Sequence, residues 1–140
     1  EITPEMKEKL SDFEGGYSTE EETKETIGGT YKSTGYVMDT HTAVAAHVSR
    51  AYRDASKDQK KMLVASTASP YKFARSVMTA IDEKYDELEE FALIDELEKV
   101  SGVAIPNAIE EIRNAQIRHT KECDVDKMKE TVKEILGVEE

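Results

Sequence analysis

Two hydroxyl-rich stretches hold the residues of this chain best suited to chemistry. Asp39-Thr40-His41-Thr42 follows the apolar run Tyr36-Val37-Met38. Ser66-Thr67-Ala68-Ser69-Pro70-Tyr71-Lys72-Phe73 follows Met62-Leu63-Val64-Ala65. Each reads as an apolar strand that ends in a polar turn and runs at once into a helix. In a parallel α/β sheet such a turn lies at the carboxyl end of the strand, where ligands bind. The next helix aims its free N–H groups and positive dipole end at the same place. Both turns are therefore expected to face one crevice.

The residue types allow several roles. Asp39 serves well as a helix N-cap, worth ~1 kcal/mol. His41 and Thr42 fall in the first helical turn, which disfavours a protonated imidazole and so favours a neutral, hydrogen-bonding His41. Thr67 ends the second strand, and its hydroxyl can cap the turn. Ser69 and Lys72 sit where a helix N-terminus could attract phosphate, although an N-cap for Ser69 and a solvent-facing charge for Lys72 are the plainer readings. His47 lies mid-helix and reads as structural. The three separated histidines and one cysteine show no usual metal-ligand spacing, so no metal is expected. Gly28-Gly29 has neither a preceding strand nor a G-x-G-x-x-G spacing and is not a phosphate loop.

The elements that must position these residues follow from apolar spacing. Thr3-Pro4 opens a helix with Met6, Leu10 and Phe13 on one face, ended by Gly15-Gly16. Ser18 with Glu21 fits a capping box for a second helix with Thr23, Ile27 and Tyr31 inward. Its Gly28-Gly29 costs roughly 1 kcal/mol per glycine relative to alanine, so a short or frayed helix is expected there. A third helix carries the stripe Val44, Val48, Ala51, Tyr52 and Ala55. Ser69-Pro70 caps a fourth, with Phe73, Val77, Ile81 and Tyr85 on one face. Strand, crossover helix and strand in this order predict a right-handed βαβ unit. From residue 86 onward only helices are expected. Leu88, Phe91, Ile94 and Leu97 line one, ended by Ser101-Gly102. Ile109 and Ile112 face inward after Pro106. Met128, Val132 and Ile135 face the core in the last, between Asp124 and Gly137.

The fold class is thus α/β: a parallel βαβ unit, strands at about 36–39 and 62–67, with flanking helices and an all-helical C-terminal part. Residues 1–85 form the α/β part and 86–140 a helical extension of a single segment. A length of 140 residues allows one such unit to bury roughly two-thirds of its extended surface. The net charge of −11 is uneven, with 12 acids and 11 bases in residues 1–80 but 18 and 8 in residues 81–140. An acidic C-terminal half disfavours nucleic acid and anionic membranes as partners. No apolar run reaches the ~20 residues of a membrane span. A lone Cys123 cannot form an internal disulfide, which points to a reducing, cytoplasmic setting. A first residue of Glu and the lack of a signal-peptide pattern fit a piece of a longer polypeptide.

Asp39-Thr-His-Thr-Ala-Val-Ala45 followed by Ser66-Thr-Ala-Ser-Pro-Tyr-Lys-Phe73 resembles the C-terminal part of threonine synthase. The likeness runs from the Met6/Leu10/Phe13 helix through Ser101-Gly102 and Arg118-His119 to the last helix, but only the two turn motifs are specific. Many members carry His where this chain has Ser69. The resemblance implies an enzyme of the tryptophan synthase beta-like fold. It uses pyridoxal phosphate to turn O-phosphohomoserine into threonine and phosphate. It further implies that the Thr67 hydroxyl meets the pyridine nitrogen, with Ser66 and Asp39 beside the cofactor and His41, Thr42, Ser69 and Lys72 on the substrate side. The Schiff-base lysine and phosphate loop lie upstream in that family, and no segment here resembles either. The chain alone is therefore expected to be inactive, its partners being the N-terminal remainder of the enzyme and a small-molecule substrate. Bare strand edges predict that it self-associates. Another phosphorylated-amino-acid lyase of the same fold, or a non-catalytic acidic helical module, would fit the same residues.

Overall fold

The computed structural model describes residues 2–138, and among them every regular element is helical. Seven α-helices follow in order: α1 (Pro4–Lys9), α2 (Glu20–Thr34), α3 (Thr40–Ser56), α4 (Ala74–Ile81), α5 (Glu90–Ser101), α6 (Asn107–Arg113) and α7 (Met128–Leu136). Short 3-10 turns at Pro70–Phe73, Glu83–Glu87 and Val125–Lys127 lead into or out of them. No helix among the described residues is long and apolar enough to cross a membrane.

The expected parallel βαβ unit is absent, and the fold class is corrected to all-α. Residues 36–39 and 61–67 carry no regular secondary structure, and no backbone hydrogen bond joins them. A short apolar run cannot by itself declare a strand, because a strand exists only through a ladder. A lone parallel pair would have slanted bonds and no third strand or covering layer, which leaves it marginal. The two runs meet different fates instead. Val37, Met38 and Asp39 are buried against the helices, whereas Leu63 is 99% exposed.

The core lies around α4, whose Ala74, Val77 and Met78 pack with Ile27 of α2, Ala43 of α3 and Leu93, Ile94 and Leu97 of α5. Burial of the five largest enclosed side chains, Ile27, Val77, Met78, Leu93 and Leu97, contributes about 1.5–3 kcal/mol each. Arg75 ties the turn after α4 to α5. It donates to the carbonyls of Asp86 (2.6 Å) and Leu88 (2.7 Å) and to the Glu90 carboxylate (2.7 Å).

Several helix signals hold and others shift. Thr3 caps α1, and Gly102 and Gly137 end α5 and α7 in the left-handed region, as expected; α2 ends the same way at Gly35, a stop that spacing did not mark. The capping box is Thr19 with Glu22 rather than Ser18 with Glu21, one residue along, because Thr19 is the residue with extended backbone. Ser18 instead bonds the Thr23 hydroxyl at 3.0 Å. Thr23 and Ile27 face inward as expected. In α3 the buried residues are Thr42 and Ala43, while Tyr52 of the predicted stripe is exposed. Phe73 and Phe91 are also exposed, with Tyr71 and Leu93 taking the core positions. Met6, Leu10 and Phe13, Ile112, and Met128, Val132 and Ile135 all face solvent. Apolar spacing defines a face but not what covers it.

Helix α2 runs unbroken through Gly28-Gly29, so the expected fraying does not occur. A Cβ on Gly28 would lie 2.4 Å from the Ala80 carbonyl oxygen, whereas one on Gly29 would meet nothing within 4 Å. Gly28 thus permits the close crossing of α2 over the end of α4. Gly29→Ala is expected to stabilise the fold by about 0.5–1 kcal/mol, the ordinary helix gain. Gly28→Ala is expected to cost about 1–3 kcal/mol despite the same gain, because the helices must separate. Paired thermal melts check this, and equal shifts for both variants would refute the close-crossing account.

Candidate functional site

The two predicted turns do converge, although without a sheet. Asp39 caps α3 with a φ of −74° and a ψ of 164°, and its side chain is almost fully enclosed. Its Oδ1 accepts the backbone N–H of His41 at 2.8 Å and of Thr42 at 3.3 Å, and it lies 2.9 Å from His41 Nδ1. Its Oδ2 accepts the Thr42 hydroxyl. Thr42 Oγ1 in turn contacts Ser66 Oγ at 2.7 Å, which joins the first turn to the second across 24 residues.

The remaining predicted residues stand around this link. Thr67, beside Ser66, is exposed, and its hydroxyl has no hydrogen-bond partner among the described residues. Ser69 caps the 3-10 turn by accepting the N–H of Tyr71 at 3.3 Å. Lys72 lies with its Nζ 5.6 Å from the Phe73 ring centroid. Phe73 leans on the His41 ring at 5.6 Å between centroids and a tilt of 36°. An open cleft beside them is lined by Ser18, Thr40, His41, Val44, Phe73 and Ser76. His47, read as structural, faces Glu22 at 3.7 Å.

Burial raises the Asp39 pKa, but hydrogen bonds from the Thr42 hydroxyl, the His41 ring and two backbone N–H groups outweigh it and hold the carboxyl below its ordinary value. Three further carboxyls are depressed. Glu22 is lowered by the Thr19 backbone, Asp82 by the Lys84 side chain and Asp95 by the Arg113 guanidinium. A depressed folded-state pKa stabilises the fold fully above the unfolded value and less as pH falls through the folded one. The melting temperature is thus expected to be flat above about pH 5 and to drop steadily below about pH 4. Circular dichroism melts would contradict this by showing no change on acidification.

Sequence reasoning missed three participants. Apolar spacing places Phe73 on an inward face, yet it is exposed and borders the cleft. The Thr42–Ser66 contact had no local signal, since its partners are far apart in sequence. The bracing role of Arg75 is likewise invisible in spacing alone.

The helical scaffold gathers hydroxyls and one buried carboxylate in a network whose half-exposed His41 imidazole borders a cleft; comparison with known proteins supplies the class. Residues 42–136 match the family model "Threonine synthase, C-terminal". The chain belongs to this threonine synthase C-terminal family. It is 34% identical over 102 residues to the threonine synthase of Corynebacterium glutamicum, which covers 72% of this chain and 20% of that protein. It is 35% identical over 85 residues to human threonine synthase-like 1, covering 60% of this chain and 11% of that protein. For the mouse protein of the same name the identity is 40% over 78 residues, covering 55% and 10%. The chain thus spans between about a tenth and a fifth of these relatives.

Proposed function

We propose that this chain forms the cofactor-facing wall of a threonine synthase, an enzyme that converts O-phosphohomoserine to threonine and phosphate with pyridoxal phosphate. The observation that carries the reading is the convergence of the two family turns through Thr42 and Ser66, with the Thr67 hydroxyl left unpartnered beside them. A free hydroxyl suits a pyridine nitrogen, so the residues present fit the cofactor.

When bound, pyridoxal phosphate supplies the electron sink for carbanion chemistry. In this reading the Thr67 hydroxyl donates to the ring nitrogen. Unlike a carboxylate, a hydroxyl does not hold that nitrogen in its charged form. A less electron-withdrawing ring favours elimination and replacement over transamination. Asp39 fixes His41 and Thr42, and Phe73 shields one side of the His41 ring from water. Ser69 and Lys72, at the rim, are assigned to the substrate's anionic end. The upstream part of the enzyme supplies the Schiff-base lysine and the phosphate loop, and the single free, exposed Cys123 is compatible with a reducing cytoplasm.

The test joins the chain to its upstream remainder and supplies O-phosphohomoserine and pyridoxal phosphate. Stoichiometric threonine and phosphate are expected. Turnover of a different phosphorylated amino acid but not this one would instead establish another lyase of the family. Cofactor binding by neither would leave an interaction module.

Exposed Tyr36, Tyr52, Met62, Leu63 and Phe73 form apolar surface that the rest of the enzyme would cover. The isolated chain is therefore expected to self-associate, through these side chains and not through the strand edge that the sequence predicts. Light scattering across concentrations measures this; a strictly monomeric species at high concentration would count against it.

A further inference from the structure

We propose that Asp39 orders the protons of the two converging turns, so that the rim presents hydrogen-bond acceptors, His41 Nε2 and Ser66 Oγ, to a donor group of the ligand such as an ammonium. The inference rests on reading the turns as the ligand-facing wall, but the proton order itself follows from geometry.

The backbone N–H groups of His41 and Thr42 are permanent donors, and both point at Asp39 Oδ1. An ionised carboxylate only accepts. The His41 Nδ1 atom, 2.9 Å from the same oxygen, must therefore carry a proton, which in a neutral ring leaves Nε2 as the acceptor. The same reasoning runs outward from Oδ2. Its partner, Thr42 Oγ1, has one hydrogen, and that hydrogen is spent on the carboxylate. The 2.7 Å contact between Thr42 and Ser66 must then use the Ser66 hydrogen, leaving only lone pairs on Ser66 Oγ for anything outside. Helix capping by Asp39 requires only Oδ1 and the backbone N–H groups. It requires neither Oδ2 nor a serine 24 residues away.

The His41 side chain is 50% exposed and Ser66 is exposed, so neither residue is shut away from a ligand. The depressed Asp39 pKa supports an ionised carboxylate at neutral pH. Two consequences follow for the dipeptide Ser66-Thr67. Only Thr67 retains a hydrogen to donate to an unprotonated ring nitrogen. Phosphate and carboxylate oxygens find no donor at Ser66 Oγ or His41 Nε2, which leaves the Ser69 hydroxyl and the Lys72 ammonium to meet an anionic substrate group.

The test is nuclear magnetic resonance on the 140-residue chain with 15N-labelled histidine, above the imidazole titration range. The expected result is His41 in the Nδ1–H tautomer, with slowly exchanging hydroxyl protons on Thr42 and Ser66. An Nε2–H tautomer would overturn the proposal. Thr42→Val breaks the relay while leaving Asp39 and His41 in place. It should keep the tautomer and speed Ser66 hydroxyl exchange about tenfold, as loss of one hydrogen bond implies. Unchanged Ser66 exchange in a folded variant would also overturn it, and should the variant not fold, the wild-type tautomer decides. Titration with ethylammonium should shift the His41 ring resonances where acetate does not; the reverse order would refute the acceptor rim. None of these readouts involves threonine formation, so a failure here is distinct from a failure of the enzymatic reading.

Discussion

On its own, the 140-residue chain is expected to make no threonine and to lose pyridoxal phosphate on desalting. On the proposed reading the expected effect is complete loss, because two indispensable parts would lie outside these residues. A pyridoxal phosphate enzyme needs a lysine to bond the cofactor and a glycine- and hydroxyl-rich loop for its phosphate. Of the two glycine pairs, Gly15-Gly16 follows no strand, and Gly28-Gly29 lies in the middle of α2, where Gly28 serves the crossing of α4. Lys72, the lysine of the second turn, follows Ser69-Pro70-Tyr71 and rests over Phe73. Stoichiometric cofactor absorbance that survives desalting of the isolated chain would overturn this expectation.

Thr67→Val in the assembled enzyme is expected to cut turnover or cofactor affinity about ten- to a hundredfold. Valine keeps the shape and removes the hydroxyl, leaving the ring nitrogen without a partner once the site is covered. An unmet buried polar group costs roughly 1–3 kcal/mol, which converts to that range. Thr67→Asp should behave differently, holding the ring nitrogen protonated and raising side reactions such as transamination. Folding should survive both changes, since Thr67 is exposed in the chain and makes no hydrogen bond among the described residues. Steady-state kinetics with a parallel melting curve decides the matter. A variant with normal kinetics and a lowered melting temperature would make Thr67 structural.

The helices were largely legible in the sequence because their signals are local. Thr3-Pro4, the Gly102 and Gly137 stops and the Asp39 cap each act within a few residues of where they are read. The absence of a sheet was not legible for the opposite reason. Tyr36–Asp39 and Met62–Thr67 have strand-like composition, but whether they pair depends on neighbours that local patterning does not encode. Burial of Val37 beside exposure of Leu63 shows how two similar runs diverge in tertiary context. At the candidate site the residue types were readable, and Asp39, His41, Thr42 and Ser66 are brought together as one network. What spacing could not supply was the bond from Thr42 to Ser66, the place of Phe73 against His41, and the outward-facing stripe of α7. All three are set by packing between distant segments.

The most direct test of the central claim is a crystal structure of the assembled enzyme with pyridoxal phosphate bound. The account predicts the Thr67 hydroxyl at hydrogen-bond distance, about 2.7–3.0 Å, from the pyridine nitrogen. A cofactor ring nitrogen held by another residue, with Thr67 well beyond hydrogen-bonding reach, would contradict it.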